Sequence, residues 1–231
     1  MNIAIVLSGG TGSRMGSDIP KQYLEVNNRT IISYSLETLG NCESIDGILV
    51  VAEGKWHSVI ANALTKAAGR KFKGFSVPGT TRQLSIISGL KKVKEFASDK
   101  DIVLVHDAAR PLVSKALMER VIEGAKSHQG AMPVLPMKDT VYYSEDGKMV
   151  SSLLNRSRIY AGQAPEAFVL GDYFDANMRL SDADILKING STEPAILAGM
   201  DVVMVEGEED NFKITTKEDL ERYKHIKQKY G

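Results

Sequence analysis

Two patterns of hydrophobic positions alternate along the chain. Short apolar runs occupy positions 3–7 (Ile-Ala-Ile-Val-Leu), 48–52, 102–105 and 131–137, and a shorter, interrupted one spans 72–77. Each reads as a strand of a parallel sheet buried on both faces. Between these runs, apolar residues recur at three- to four-residue spacing. Ile31, Ile32, Leu36 and Leu39 follow a capping Thr30, and a second helix is expected over 55–68, stopped by Gly69. Ile86, Leu90 and Val93 mark a third, continuing to about Ala97, and Leu117, Val121, Ile122 and Ala125 a fourth, ending near Gly130. Strand and helix alternate from the start, which predicts an α/β fold with a parallel sheet covered on both faces.

The alternation breaks after residue 137. Thr140-Val141-Tyr142-Tyr143, then Asp146-Gly147, then Lys148-Met149-Val150 reads as a β-hairpin, because Asp-Gly favours the turn that matches strand twist. An arm carrying Val141, Tyr142, Tyr143, Met149 and Val150 is expected to pack on a second subunit, the alternative being that it folds back on its own domain. Beyond it come a polar stretch over 180–193, a helix near Ala195 and a strand over 202–205. A last helix over 217–230 is expected to be capped by Thr216 and to pack Leu220 and Ile226 on the sheet.

Candidate chemistry lies where the apolar runs end. The first opens into Ser8-Gly9-Gly10-Thr11-Gly12-Ser13-Arg14-Met15-Gly16, followed by Pro20-Lys21-Gln22. Small residues let backbone approach a ligand and point consecutive amides at phosphate oxygens, while Arg14 and Lys21 supply countercharge. Two better-known glycine loops do not fit. The third glycine of a dinucleotide fingerprint would fall on Met15, and a nucleoside-triphosphatase loop would need Lys after Gly16 where Ser17 stands. A second strand-to-helix junction, Pro78-Gly79-Thr80-Thr81-Arg82-Gln83-Leu84-Ser85, should open beside the first. It makes Arg82 and Ser85 candidates, against the plainer reading that Thr80 or Thr81 caps the helix and Ser85 faces solvent. The run at 102–105 leads into His106-Asp107-Ala108-Ala109-Arg110-Pro111. A carboxylate there suits a metal ion or a ribose, and the alternatives for Asp107 are an N-cap or a structural partner of Arg110. His106 reads as structural.

Composition narrows the classes. With 231 residues, the chain suits one domain. Lys plus Arg and Asp plus Glu balance at 29 each, with no basic block, which argues against sequence-independent nucleic-acid binding. Cys42 is the only cysteine, so there is neither an intramolecular disulfide nor a cysteine-rich zinc site, and a reducing compartment is expected. No apolar run approaches the ~20 residues of a membrane span, and no basic segment precedes the first strand. A cytoplasmic protein without membrane partners is the expectation.

Taken in order, G-G-T-G-S-R-M-G, P-K-Q, H-D-A-A-R-P, Asp139-Thr140, the Asn155-Arg156 pair and Asp210-Asn211-Phe212-Lys213-Ile214-Thr215 resemble the cytidylyltransferases that activate polyol phosphates with CTP. That family includes the 2-C-methyl-D-erythritol 4-phosphate and ribitol 5-phosphate enzymes, and the resemblance spans essentially the whole chain. It implies a Rossmann-like, mostly parallel sheet with helices on both faces and a protruding hairpin arm, residues 139–158, that forms a homodimer. It implies CTP and a small polyol phosphate as substrates, with Mg²⁺ as cofactor.

Arg14, Lys21 and Lys213 would be the catalytic cations. Ser8, Gly9, Gly10, Gly12, Gly79, Thr80, Arg82, Ser85 and Asp107 would bind CTP. Arg110, Thr140, Arg156 and Thr192 would hold the polyol phosphate, and Asp107 and Asp210 the metal. The chain departs from the family at Ala164-Pro165-Glu166, where many members have T-P-Q, and at Thr192-Glu193-Pro194, where they have T-D. These departures put the acceptor in question rather than the nucleotide. Ser8-Gly9-Gly10 and Tyr160-Ala161-Gly162-Gln163 look more like the ribitol enzymes. The methylerythritol activity and a catalytically retired nucleotide-binding paralogue are the alternatives.

Overall fold

The computed structural model describes residues 1–10 and 19–230. β1 (Asn2–Leu7) is followed by a small hairpin of β2 (Glu25–Val26) and β3 (Arg29–Thr30), then by α1 (Ile31–Asn41) and β4 (Gly47–Val51). Next come α2 (His57–Ala63), α3 (Lys66–Lys71), β5 (Phe72–Ser76), α4 (Arg82–Val93), β6 (Ile102–Asp107), α5 (Lys115–Ser127) and β7 (Gly130–Pro136). The arm carries β8 (Tyr142–Tyr143) and β9 (Ser152–Leu153), and the chain returns through β10 (Tyr160–Gly162) and β11 (Glu166–Val169). It closes with α6 (Leu170–Met178), α7 (Asp182–Ile185), α8 (Glu193–Leu197), β12 (Val202–Glu206) and α9 (Lys217–Tyr230).

The main sheet runs β10-β7-β11-β6-β1-β4-β5, with β12 paired to β7. β1 lies at its centre, parallel to β4 on one side and to β6 on the other. After β1 the chain builds one flank through β4 and β5, then crosses to β6 on the other side. That reversal makes a crevice at the carboxyl ends of β1 and β6. Leu7 and Asp107 are register partners there.

Alternation along β1 explains why the sheet is covered twice. Ala4 and Val6 join Ile48, Val50 and Leu104 in a core under α1 and α5, whereas Ile3 and Ile5 join Leu49, Val51, Val103 and Val105 under α4 and α6. Each fully buried Val, Leu or Ile contributes about 1.5–3 kcal/mol. A third cluster, Val26, Ile31, Tyr34, Ile214 and Tyr223, packs α9 against the start of α1. Thr216 does cap α9: the backbone of Asp219 donates to its hydroxyl, and Asp219 accepts from the Thr216 amide.

Four details depart from expectation. The helix over 55–68 is two helices, because Thr65 caps α3 by accepting from the Ala68 amide, and Gly69 lies inside α3 rather than ending it. Leu170–Met178 forms a helix where none was expected. The return segment 160–169 forms β10 and β11, both antiparallel to their neighbours, so the main sheet has four parallel and three antiparallel pairings. The arm is a hairpin, with Tyr142 opposite Leu153 and Tyr143 opposite Ser152, so its second strand begins later than residues 148–150. No helix among the described residues is long and apolar enough to cross a membrane.

Candidate active site

A cleft of about 710 Å³ opens at the carboxyl ends of β1, β4, β5 and β6, walled by the backbone of Gly9, Gly10 and Gly79 and by the side chains of Lys21, Arg82 and Lys213. Its size is that of a small-molecule site. Glycine is required where the two loops meet. A Cβ on Gly9 would lie 2.3 Å from the Cβ of Pro78, and one on Gly79 would lie 2.2 Å from that of Leu84. The first loop is fastened from below: the Gln22 amide donates to the carbonyls of Ser8 and Gly10, both at 2.8 Å. Tyr23, stacked on Trp56, donates its hydroxyl to the Ser8 carbonyl and accepts from the Ser8 hydroxyl. In the second loop Thr81 caps α4, accepting from the Leu84 amide. Ser85 does not face solvent. Its hydroxyl accepts from the Gly79 amide and donates to the Thr81 carbonyl, holding the turn closed.

Asp107 is the electrostatic centre. Arg82 reaches its Oδ1 through Nη2 at 3.2 Å, while Lys213 Nζ lies 3.0 Å and Arg110 Nε 3.6 Å from its Oδ2. Burial alone would raise the Asp107 carboxyl, but Arg82, Lys213 and Arg110 overcome it and hold the group well below the ordinary carboxylate range. Burial likewise opposes the charge on Arg82, yet Asp107 and Glu166 more than offset it and the guanidinium stays above its ordinary value. One carboxylate thus organises three cations, and Lys21 adds a fourth on the same wall. Cations gathered beside glycine backbone suit a polyphosphate.

The other sequence candidates divide. Gly9, Gly10, Lys21, Gly79, Thr80, Arg82, Ser85, Asp107 and Lys213 all line the cleft. Gly12 and Arg14 lie outside the described residues. Ser8 is buried against Tyr23 and is not on the wall. Arg110 sits behind Asp107 and donates to the Asn211 carbonyl, tying the loop that carries Lys213 to β6. Thr192 is buried beside Ser191, its hydroxyl without a partner among the described residues. Thr140 and Arg156 are not brought to the cleft; they line a separate hollow of about 460 Å³ on the arm. Asp210 is exposed and faces Arg222 at 3.6 Å, so the structure gives it no place in the cleft either. His106 is fully buried, its imidazole pushed down to about 4 above all by burial, and it is absent from the wall. Glu53 and Thr215 line the cleft and were not expected. Glu53 carries no local signal, since it follows an apolar strand like many loop acids, whereas Thr215 closes the 210–215 motif without being singled out from it.

Residues 2–229 match the family model described as IspD, 2-C-methyl-D-erythritol 4-phosphate cytidylyltransferase. A ribitol-5-phosphate cytidylyltransferase of Streptococcus agalactiae serotype V is 32% identical over 230 residues, covering 98% of this chain and 95% of the relative. A 2-C-methyl-D-erythritol 4-phosphate cytidylyltransferase of Clostridium botulinum is also 32% identical, over 94% of this chain and 95% of the relative. Among solved structures, the enzyme of that same name from Francisella tularensis superposes with a TM-score of 0.79 at 29% identity, over 96% of this chain and 97% of the other.

Proposed function

The chain belongs to the IspD family of cytidylyltransferases, and from that premise we propose that it joins the CMP unit of CTP to ribitol 5-phosphate with release of pyrophosphate, acting as a homodimer with Mg²⁺. The observation that carries this reading is the convergence of Arg82, Arg110 and Lys213 on Asp107 beside two glycine-rich loops. The choice of ribitol rests on the Streptococcus agalactiae relative and on the Ser8-Gly9-Gly10 and Tyr160-Ala161-Gly162-Gln163 runs.

The chemistry asks for alignment and charge balance rather than proton transfer. An acceptor phosphate is mostly dianionic at neutral pH, its second pKa being near ~6. One of its oxygens attacks the α-phosphorus of CTP, the bond from that phosphorus to the bridging oxygen breaks, and the electron pair leaves with pyrophosphate. Lys21, Arg82 and Lys213 line the cleft and in this reading would hold the phosphates in line and balance the charge that develops. Asp107 keeps two of these cations, Arg82 and Lys213, in position before substrate arrives, so little reorganisation is needed on binding. Magnesium is held by one or two carboxylates when substrate phosphates supply the remaining oxygens. Asp107 could take that limited role only by giving up part of its contact with Arg82 or Lys213, and no group of three or more His, Cys, Asp or Glu among the described residues could hold the ion by itself. Bound there with the triphosphate, Mg²⁺ would neutralise phosphate charge and act as a Lewis acid.

The arm supports the dimer. Tyr142, Tyr143, Met149, Val150 and Leu153 are all exposed on it, a cost that a second copy would remove. In such a dimer the arm would carry Thr140 and Arg156 to the acceptor side of the partner's cleft. The family model and the Clostridium botulinum relative bear the methylerythritol name, which makes that phosphate the second candidate acceptor. Pyrophosphate release from CTP and Mg²⁺ should be measured across ribitol 5-phosphate, 2-C-methyl-D-erythritol 4-phosphate and related acceptors. Release with ribitol 5-phosphate alone is expected. Release with the methylerythritol phosphate selects the second reading, and CTP binding without release from any acceptor refutes both.

A further inference from the structure

β11 pairs antiparallel with β6, so its first residue, Glu166, lies beside the carboxyl end of β6, with Val105 as its register partner. There it enters a relay. Glu166 Oε1 accepts from the Ser191 hydroxyl at 2.7 Å, and the Ser191 oxygen accepts from Arg82 Nη1 at 2.8 Å. The other face of the same guanidinium, Nε and Nη2, meets Asp107 Oδ1 at 3.3 and 3.2 Å. Ser191 is itself fixed, because the Tyr173 hydroxyl donates to its carbonyl at 2.7 Å. Tyr173 in turn stacks on Phe168 of β11, with ring centroids 4.0 Å apart.

We propose that Glu166 and Ser191 are positioning residues that hold the Arg82 guanidinium from behind, so that its direction in the cleft is set by Asp107 on one side and by this relay on the other. The second oxygen of Glu166, Oε2, is buried without a hydrogen-bond partner among the described residues. A glutamine could accept from Ser191 equally well and would bury no charge, so the hydrogen bond alone does not call for an acid here. What the carboxylate adds is attraction for the one cation that Ser191 connects to it. Burial raises the Glu166 carboxyl above its ordinary value, and Arg82 and the Ser191 hydrogen bond offset that rise only in part.

The proposal rests on the cytidylyl-transfer reading only for its kinetic test, so two measurements are paired. In the first, kcat/KM is determined by pyrophosphate release for Glu166→Gln, Ser191→Ala and the double variant. Each single change should lower kcat/KM by a similar factor, up to about 10²-fold for a misplacement near 1 Å. The double variant should be no worse than the poorer single, since both weaken one relay, Ser191→Ala by removing its hydrogen bonds and Glu166→Gln by removing the charge behind them. In the second, nitrogen-edited NMR follows hydrogen exchange of the Arg82 Nε–H in the substrate-free protein. Exchange should be slow in the parent chain and faster in both single variants. Losses that multiply in the double variant, or an Arg82 Nε–H that exchanges at the parent rate in Glu166→Gln, would overturn the proposal. If the parent chain releases no pyrophosphate with any acceptor, the functional reading fails, and the exchange measurement alone decides the relay.

Discussion

Replacing Asp107 by asparagine tests the electrostatic account of the cleft most directly. The substitution keeps the size of the side chain and removes the negative charge on which Arg82, Arg110 and Lys213 converge at 3.2, 3.6 and 3.0 Å. The side chain of Asp107 is 10% exposed, whereas those of Arg82 and Lys213 are 31% and 34% exposed. The cluster therefore falls between a surface pair, about 0–1 kcal/mol, and a buried pair broken on one side, about 3–5 kcal/mol. A loss of about 2–3 kcal/mol follows, which for a chain of 231 residues lowers Tm by about 4–12 °C. The sign of the pH dependence is fixed too. A carboxyl held below its ordinary value of 3.8 contributes stability that is complete above about pH 4 and is lost as pH falls through its folded value. The parent and variant Tm curves should thus converge in acid. Without Asp107, the cations of the cleft repel one another with no anion between them, so added pyrophosphate should raise the Tm of the variant more than that of the parent. Differential scanning calorimetry with and without pyrophosphate measures both effects. An unchanged Tm at pH 7 together with an equal response to pyrophosphate would refute the reasoning.

Lys213→Ala should lower pyrophosphate release by about 10²–10³-fold, the range for removing one preorganised group that stabilises developing charge; steady-state turnover near that of the parent would remove Lys213 from the mechanism. Tyr142→Ser combined with Leu153→Ser takes apolar surface from both strands of the arm, and sedimentation equilibrium should then report a monomer with unchanged affinity for CTP. The His106 imidazole, pushed down to about 4 by burial above all, should stay neutral by NMR between pH 5 and 8. Because the unfolded chain takes up that proton near 6.5, His106 should erode stability as pH falls from 6.5 toward 4, with proton uptake on unfolding through that window.

The sequence shows most clearly those features whose signal is local. The buried strands β1, β4 and β6 are unbroken apolar runs, and the loops after β1 and β5 carry small residues where Gly9 and Pro78, or Gly79 and Leu84, must touch. Asp107 stands out because it ends such a run. The return segment was not legible. β10 and β11 are three and four residues long, interrupted by Pro165, and owe their form to antiparallel pairing with β6 and β7. Nothing in their own spacing announces it. The break between α2 and α3 is hidden for the opposite reason: a local cap at Thr65 overrides a longer helical periodicity.

The same distinction explains which site residues the chain gathers and which it leaves apart. Arg82 meets Ser191 across 109 residues of sequence, and Ser191 meets Glu166 across 25. The contact exists because β11 runs against β6 and brings its first residue back to the edge where Asp107 already stands. Read in isolation, Glu166 is only a departure from a family pattern, and Ser191 only part of a polar stretch. In the fold the two form the back wall of an arginine site. Thr140 and Arg156 are the converse case. Their motif is as legible as any in the chain, yet the arm carries them to a hollow of their own. A motif in the right order along a sequence therefore fixes chemistry only when the topology closes on it. For the cleft residues the sheet does so within one chain, and for the arm residues closure would depend on the proposed second copy.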